Sequence, residues 1–213
     1  RSTIVFANSR RLAERLTARL NELAEEAEGE VARRQVAGQG REPVLIHSLP
    51  VGCVSWRDQW FQRPADDEAI LQQQLAEAVD AAAAVFEDVA PQFGLQFDNV
   101  YASSGTAKML AAVCTEMGFS NGQIELSGMQ ALKTRMIQSA LRGELLPGVS
   151  ELRRELILPG WAILMALMQT LHLQRIHFSA AALREGMLEF MIQSGCRPQR
   201  AFPPVTAVAR LHE

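Results

Sequence analysis

The chain has 213 residues, of which 48% are apolar, 21% charged and 6% aromatic; this length allows one large domain or two small ones, and the composition excludes disorder, collagen and coiled coil as whole-chain descriptions. Lys and Arg number 21 against 24 Asp and Glu, a formal net charge of -3, which offers no global basic surface and argues against nucleic acid as a partner. Cys53, Cys114 and Cys196 stand far apart without a Cys-x-x-Cys pair, so neither a disulfide framework nor a zinc site is indicated and a reducing compartment fits.

Arg1-Ser2-Thr3 brings neither an initiator methionine nor a charged-then-apolar leader, so the start reads as the edge of a fragment and the expected location is cytoplasmic. Thr3 to Ala7 predicts a short strand. Asn8-Ser9 then caps a helix on which Leu12, Leu16, Leu20 and Leu23 repeat at helical spacing. Val31 to Ala37 and Val44 to Leu49, separated by the Gly38/Gly40 loop, predict an antiparallel hairpin. Glu68 to Phe93, closed by Gly94, predicts a long helix with Leu71, Leu75, Ala78, Val79, Ala82 and Val85-Phe86 on one buried stripe.

Phe97 to Ala102 reads as a strand, and Ser103-Ser104-Gly105-Thr106 leads into a helix over Ala107 to Met117 that Gly118 closes. Ser127 is the expected cap of a helix from Met129 to Arg142, and an apolar helix from about Pro159 to Leu171 is expected to be central and buried. The longest apolar stretch, Ile157 to Leu173, is interrupted by polar residues and is too short for a membrane span, so no membrane association is expected. Arg175 to Phe178 predicts a strand, Ala181 to Ile192 a last helix, and the Pro-bearing residues from Gly195 onward an extended tail. The order of elements is that of a helix-rich, mixed α/β layered domain.

The turn Ser103-Ser104-Gly105-Thr106 is the most suggestive chemically. Small residues let helix N-terminal amides approach a phosphate oxygen, and hydroxyls add hydrogen bonds; an ordinary strand-to-helix turn with a Ser cap has the same signature. Arg153 and Arg154, just ahead of Ile157-Leu158-Pro159-Gly160, would suit a polyanion. Ser179 to Ala182 is a second small-residue turn, from which Arg184 is in reach of an anion or simply solvated beside Glu185. His47, His172, His177 and His212 form no metal-binding pair. Cys53 is expected as a small buried residue, Met165 and Met168 as core filler. Asp58, Asp66, Asp67 and Glu68 around Pro64 read as a solvated helix N-terminus.

Leu49-Pro50-Val51-Gly52-Cys53-Val54-Ser55-Trp56 resembles the Leu-Pro-Met-Gly-Cys-Val-Thr-Trp segment of the Ppx/GppA phosphatase family. Three further segments match in order: Ala102 to Ala107 resembles the family's Gly-Ala-Ser-Gly-Thr turn, Arg153 to Gly160 its Arg-Ala-x-x-Ile-Leu-Pro-Gly helix start, and Ser179 to Leu188 its Ser-x-Gly-Gly-Leu-Arg-Glu-Gly-Leu segment. Four ordered motifs are far more specific than any one of them. The resemblance implies an actin-like (ribonuclease H-like) lobe, a mixed sheet with helices on both faces, at residues 31–194. It implies magnesium-assisted release of a terminal phosphate from polyphosphate or guanosine pentaphosphate. It places Ser104, Gly105, Thr106 and Arg153, with Arg184, at the phosphate.

The family's first-lobe motifs, an Asp-x-Gly-Ser loop, a catalytic glutamate and Asp-x-Gly-Gly-Gly-Ser-Thr-Glu, do not occur in this sequence. The match is therefore to the second lobe, and the partners it implies are a first lobe supplied in trans or a homodimer. Ala102 and Ala182 stand where the family has glycine, which narrows backbone approach at both turns. Residues 1–30 differ in origin: Ser2 to Leu16 resembles the start of the second RecA-like domain of Lhr-type superfamily 2 helicases, without that family's nucleotide-binding motifs. The expected organisation is a helicase-like strand and helix at 1–30, the Ppx/GppA lobe at 31–194 and a tail at 195–213. In this chimera the borrowed strand Ile4 to Ala7 is expected to complete the lobe's sheet as an edge or a central strand. The alternatives to a phosphohydrolase are a non-catalytic phosphate-binding or interaction module and an inactive helicase-derived fragment.

Overall fold

A computed structural model describes residues 3–7, 47, 49–62, 67–93, 97 and 99–179, all of which fall in the first of two compact units into which the chain divides. The elements are β1 (Thr3–Ala7), α1 (Cys53–Trp60), α2 (Glu68–Glu87), β2 (Asn99–Ser103), α3 (Gly105–Glu116), β3 (Ile124–Glu125), α4 (Leu126–Arg142), α5 (Ile157–Thr170) and β4 (Arg175–Phe178), with 3-10 turns at Ala90–Gln92 and Glu151–Leu156. The architecture is the expected mixed, helix-rich α/β lobe.

The described sheet has the order β1-β2-β4-β3. β1 and β2 are parallel with Thr3 opposite Asn99 and Ala7 opposite Ser103; β2 and β4 are parallel through Tyr101–His177 and Ala102–Phe178; β3 runs antiparallel to β4. Thr3–Ala7 thus lies at the end of the described sheet, one of the two positions, edge or central, open to a segment that completes it. The strand at Arg175–Phe178 is also where the sequence puts it. The predicted hairpin lies outside the described residues except for His47 and Leu49, neither of which is in a strand. The helices expected after Ser9 and over Ala181 to Ile192 also lie outside the described residues.

Helix α5 is the centre of the core and packs against α1, α2, α3 and α4. Trp161, Leu164, Leu167 and Met168 are buried, and Ile163 and Leu171 are partly so; the all-round apolar pattern buries the helix up to Met168, and only at its last turn does Gln169 reach solvent. It starts at Ile157, two residues earlier than expected. Pro159 is tolerated inside the first turn because the amide it lacks would have had no intrahelical acceptor. Met165 and Met168 are core residues as expected.

Helix α2 buries Leu71, Leu75, Ala78, Ala82 and Phe86. The small side chains at Ala78 and Ala82 keep its backbone approachable, and the Trp56 indole donates to the Ala78 carbonyl at 3.0 Å. The helix stops at Glu87 rather than Gly94, because the ring of Pro91 would clash with the carbonyl of Glu87 in a continuing helix. Asp67 caps its N-terminus, accepting from the Ala69 amide at 2.7 Å.

The start of α4 corrects one expectation. Ser127 is not the cap: the helix begins at Leu126 after Glu125, with no side-chain cap. β3, a strand too short for any periodicity to announce, pairs Ile124 with Ile176, and the Leu126 amide donates to the Gln174 carbonyl at 3.0 Å. Sheet pairing thus replaces the side-chain cap. At the other end Gly143, with φ +65°, terminates α4 in the left-handed conformation that costs glycine nothing.

Candidate anion site at the start of helix α3

Three helices begin at one point. Cys53 is the first residue of α1, Thr106 the second of α3, and Gly160 lies in the first turn of α5. The Cys53 thiol and the Thr106 hydroxyl are hydrogen-bonded at 3.0 Å in the interior. A Cβ on Gly160 would overlap Thr106 Cγ2 and lie 3.8 Å from Cys53 Sγ. Glycine at 160 is therefore what lets α5 close on the other two helices. Each helix start carries a partial positive charge, so the junction favours an anion.

The N-terminus of α3 is built for one. Ser104 is the N-cap, its hydroxyl oxygen accepting from the Ala107 amide at 3.0 Å. The Gly105 and Thr106 amides are then first-turn donors with no intrahelical acceptor. The guanidinium of Arg153, carried on the 3-10 turn Glu151–Leu156, lies directly against Gly105. A Cβ at that position would come within 2.6 Å of Nη2 and 2.8 Å of Cζ.

Arg153 differs from its neighbours in one respect. Arg154 donates to the Gly143 carbonyl and pairs with Glu151 at 3.2 Å. Arg57 pairs with Asp58 at 2.7 Å and Glu155 at 3.3 Å, and its hydrogen bond with Asp58 raises its pKa. The Arg153 guanidinium has no acceptor and no ion pair among the described residues. A cation at the positive end of a helix is unfavourable by roughly 0.3–1 kcal/mol, and a bound anion reverses the sign.

Of the residues expected at the phosphate, Ser104, Gly105 and Arg153 are brought together. Thr106 is placed differently: it is only 8% exposed, with its hydroxyl on Cys53 and its methyl against Gly160, so its side chain serves the junction and only its amide belongs to the turn. Arg184 lies outside the described residues. Cys53 is buried as expected, but its thiol also bonds Thr106, a role that burial alone does not require. Ala102 is 2% exposed, so the methyl that stands where the family has glycine occupies core volume. Behind the turn, Ser104 and Thr106 also line a cavity of about 170 Å³ with His47, Phe86 and Leu164. Sequence reasoning missed the inward turn of Thr106; the pairing of a small residue with it at Gly160, just after Pro159, was the available signal.

Comparison with known proteins places the lobe. The profile of the Ppx/GppA phosphatase family matches residues 34–194. The chain belongs to this family. A guanosine-5'-triphosphate,3'-diphosphate pyrophosphatase of Pseudoalteromonas atlantica is 29% identical over 161 residues, covering 75% of this chain and 31% of that protein. Two structures of Aquifex aeolicus Ppx/GppA proteins superpose with TM-scores of 0.56 and 0.52 at 16% and 18% identity, over 72% and 68% of this chain and 50% and 49% of theirs. At such identity they show the fold, the actin-like lobe expected from the motifs. The chain spans about a third of the length of the curated relative and half that of the Aquifex proteins.

The residues described do not make a magnesium site. None of them form a group of three or more His, Cys, Asp or Glu able to hold a metal. The nearby carboxylates are committed: Asp58 and Glu155 to Arg57, Glu151 to Arg154, and Asp67 to capping α2. Among the described residues no helix is long and apolar enough to cross a membrane.

Proposed function

We propose that this Ppx/GppA chain contributes the anion-binding half of a phosphohydrolase that releases terminal phosphate from polyphosphate or guanosine pentaphosphate. The observation that carries the reading is the unpaired Arg153 guanidinium held over the first-turn amides of α3. Arg153, the amides of Gly105 and Thr106 and the Ser104 hydroxyl together offer a phosphate a charge-assisted set of donors that none supplies alone. The Pseudoalteromonas relative's name, a guanosine pentaphosphate-class pyrophosphatase, supports a phosphoanhydride substrate.

In this reading the present residues bind and orient the phosphate, and the carboxylates that position magnesium and water belong to a first lobe, in a longer polypeptide, in trans or across a homodimer. Titration of the chain with tripolyphosphate tests the binding half: Arg153→Ala weakens affinity about tenfold or more, the worth of one charged hydrogen bond, with the melting temperature unchanged. Unchanged affinity in an intact fold refutes it. Phosphate release from polyphosphate and guanosine pentaphosphate tests the division of labour. The chain alone is expected to be inactive or very slow with magnesium, and robust turnover would place the hydrolytic groups within residues 1–213.

A further inference from the structure

Among the described residues Arg153 has no partner to hold it, and the turn that carries it has no buried side chain. Leu152 in the same turn is 95% exposed. The hydrophobic anchors are outside the turn, at Val149 and Ile157, which are 7% and 8% exposed. Residues 150–156 therefore bridge from one anchor to the next across the surface, and a bridge of that kind samples several positions unless polar contacts select one.

Among the described residues two side-chain contacts tie the turn to other elements. Arg57 on α1 pairs with Glu155 at 3.3 Å, an exposed ion pair of the kind that contributes little. The other is Arg154. Its guanidinium donates to the carbonyl of Gly143, the left-handed residue that ends α4, and its Nη1 pairs with Glu151 at 3.2 Å. A cation hydrogen-bonded to the carbonyls at a helix C-terminus is the favourable orientation of charge and helix dipole. One side chain thus ties the middle of the turn to α4 and its first residue to itself, while the adjacent side chain, Arg153, rests on Gly105 at the start of α3.

We infer that Arg154 is the positioning residue of the anion site: it fixes the turn Glu151–Leu156 on the end of α4 so that Arg153 is presented, unpaired, over the α3 amides. The neighbouring arginines divide the work, one spent on the protein and one left for the phosphate. This inference rests on the proposed anion site at Arg153, and the experiment separates the two.

The test is a double-mutant cycle on the whole chain with tripolyphosphate as the probe, read by calorimetric titration and thermal melts. Arg154→Ala is expected to weaken binding about three- to tenfold, and to have no further effect in an Arg153→Ala background, because coupled residues lose their shared contribution once. Arg154→Lys, which keeps the charge at the helix end but not the planar fork, is expected to fall between wild type and Ala and gives the reading if the Ala variant folds poorly. Equal losses from Arg154→Ala in both backgrounds would make Arg154 a direct phosphate ligand and overturn the inference. An effect of Arg153→Ala with none from Arg154→Ala or Arg154→Lys would overturn it while leaving the anion site standing. No effect of Arg153→Ala would remove the site and the positioning role together.

Discussion

Gly105→Ala separates binding from stability more sharply than removing Arg153. The new Cβ would lie 2.6 Å from Nη2 and 2.8 Å from Cζ of Arg153, too close for either, so the guanidinium must leave. Leaving costs the fold little, because the group it moves is the far end of a flexible, solvent-facing side chain with no acceptor to lose among the described residues. The backbone gains: Gly105 has no positive φ, and Gly→Ala at a compatible helical position stabilises by about 0.4–1 kcal/mol through the unfolded chain. The melting temperature should therefore hold or rise by up to about 4 °C. Affinity for tripolyphosphate should fall in the same variant by about tenfold to a hundredfold, the range for a lost charged hydrogen bond. Paired melts and titrations on one preparation read both quantities. A variant that is markedly less stable would show that Arg153 is structural, and one that binds as well as wild type would show that the contact with Gly105 does not matter to the anion.

Gly160→Ala puts the same added methyl where nothing yields, against Thr106 Cγ2 at the junction of three helix starts, and should destabilise by about 1–3 kcal/mol; urea titration would expose a tolerant site. Leu75→Ala, at a fully buried position on the face of α2 that meets α5, should cost about 2–5 kcal/mol, and a loss under 1 kcal/mol would mean that this core collapses to fill the space. Burial raises the Cys114 thiol from 9.0 to about 11. Above pH 9 the unfolded chain sheds this proton and the folded chain keeps it, so this contribution to stability, present in full below pH 9, is lost as pH rises to 11, by at most about 3 kcal/mol. Cys114→Ala should remove that part of the slope in urea melts taken between pH 8 and 11; an identical slope in both proteins would refute the assignment.

The family was legible from four ordered motifs, and the three that lie among the described residues each answer a local demand: a glycine before a helix start, a Ser cap, a proline in a first turn. β1, β4 and the buried nature of α5 were legible because β-favouring runs and all-round apolarity are properties of a few consecutive residues. The turn at Ser104 was found but left undecided between a cap and a phosphate cradle, since both need the same small residues. Its hydroxyl does cap Ala107, and what adds the second meaning is Arg153, 49 positions further along the chain by residue number.

Three features depend on partners that no local window contains. Ser127 looked like a cap, but β3 exists only because β4 is beside it, and that pairing starts α4 earlier. Thr106 looked like a phosphate ligand, yet Cys53 and Gly160 from two other helices turn it inward. Arg153 and Arg154 are equivalent as a sequence, two arginines in a row. One meets a helix C-terminus and is consumed there, and the other meets a helix N-terminus and has no acceptor among the described residues. The sequence by itself determined β1, β4 and the long described helices because propensity, capping and periodicity act between near neighbours, and it carried the family in its ordered motifs. Which arginine serves the fold and which faces the anion was decided only when packing set the ends of different helices beside them, where the sign of the helix dipole differs.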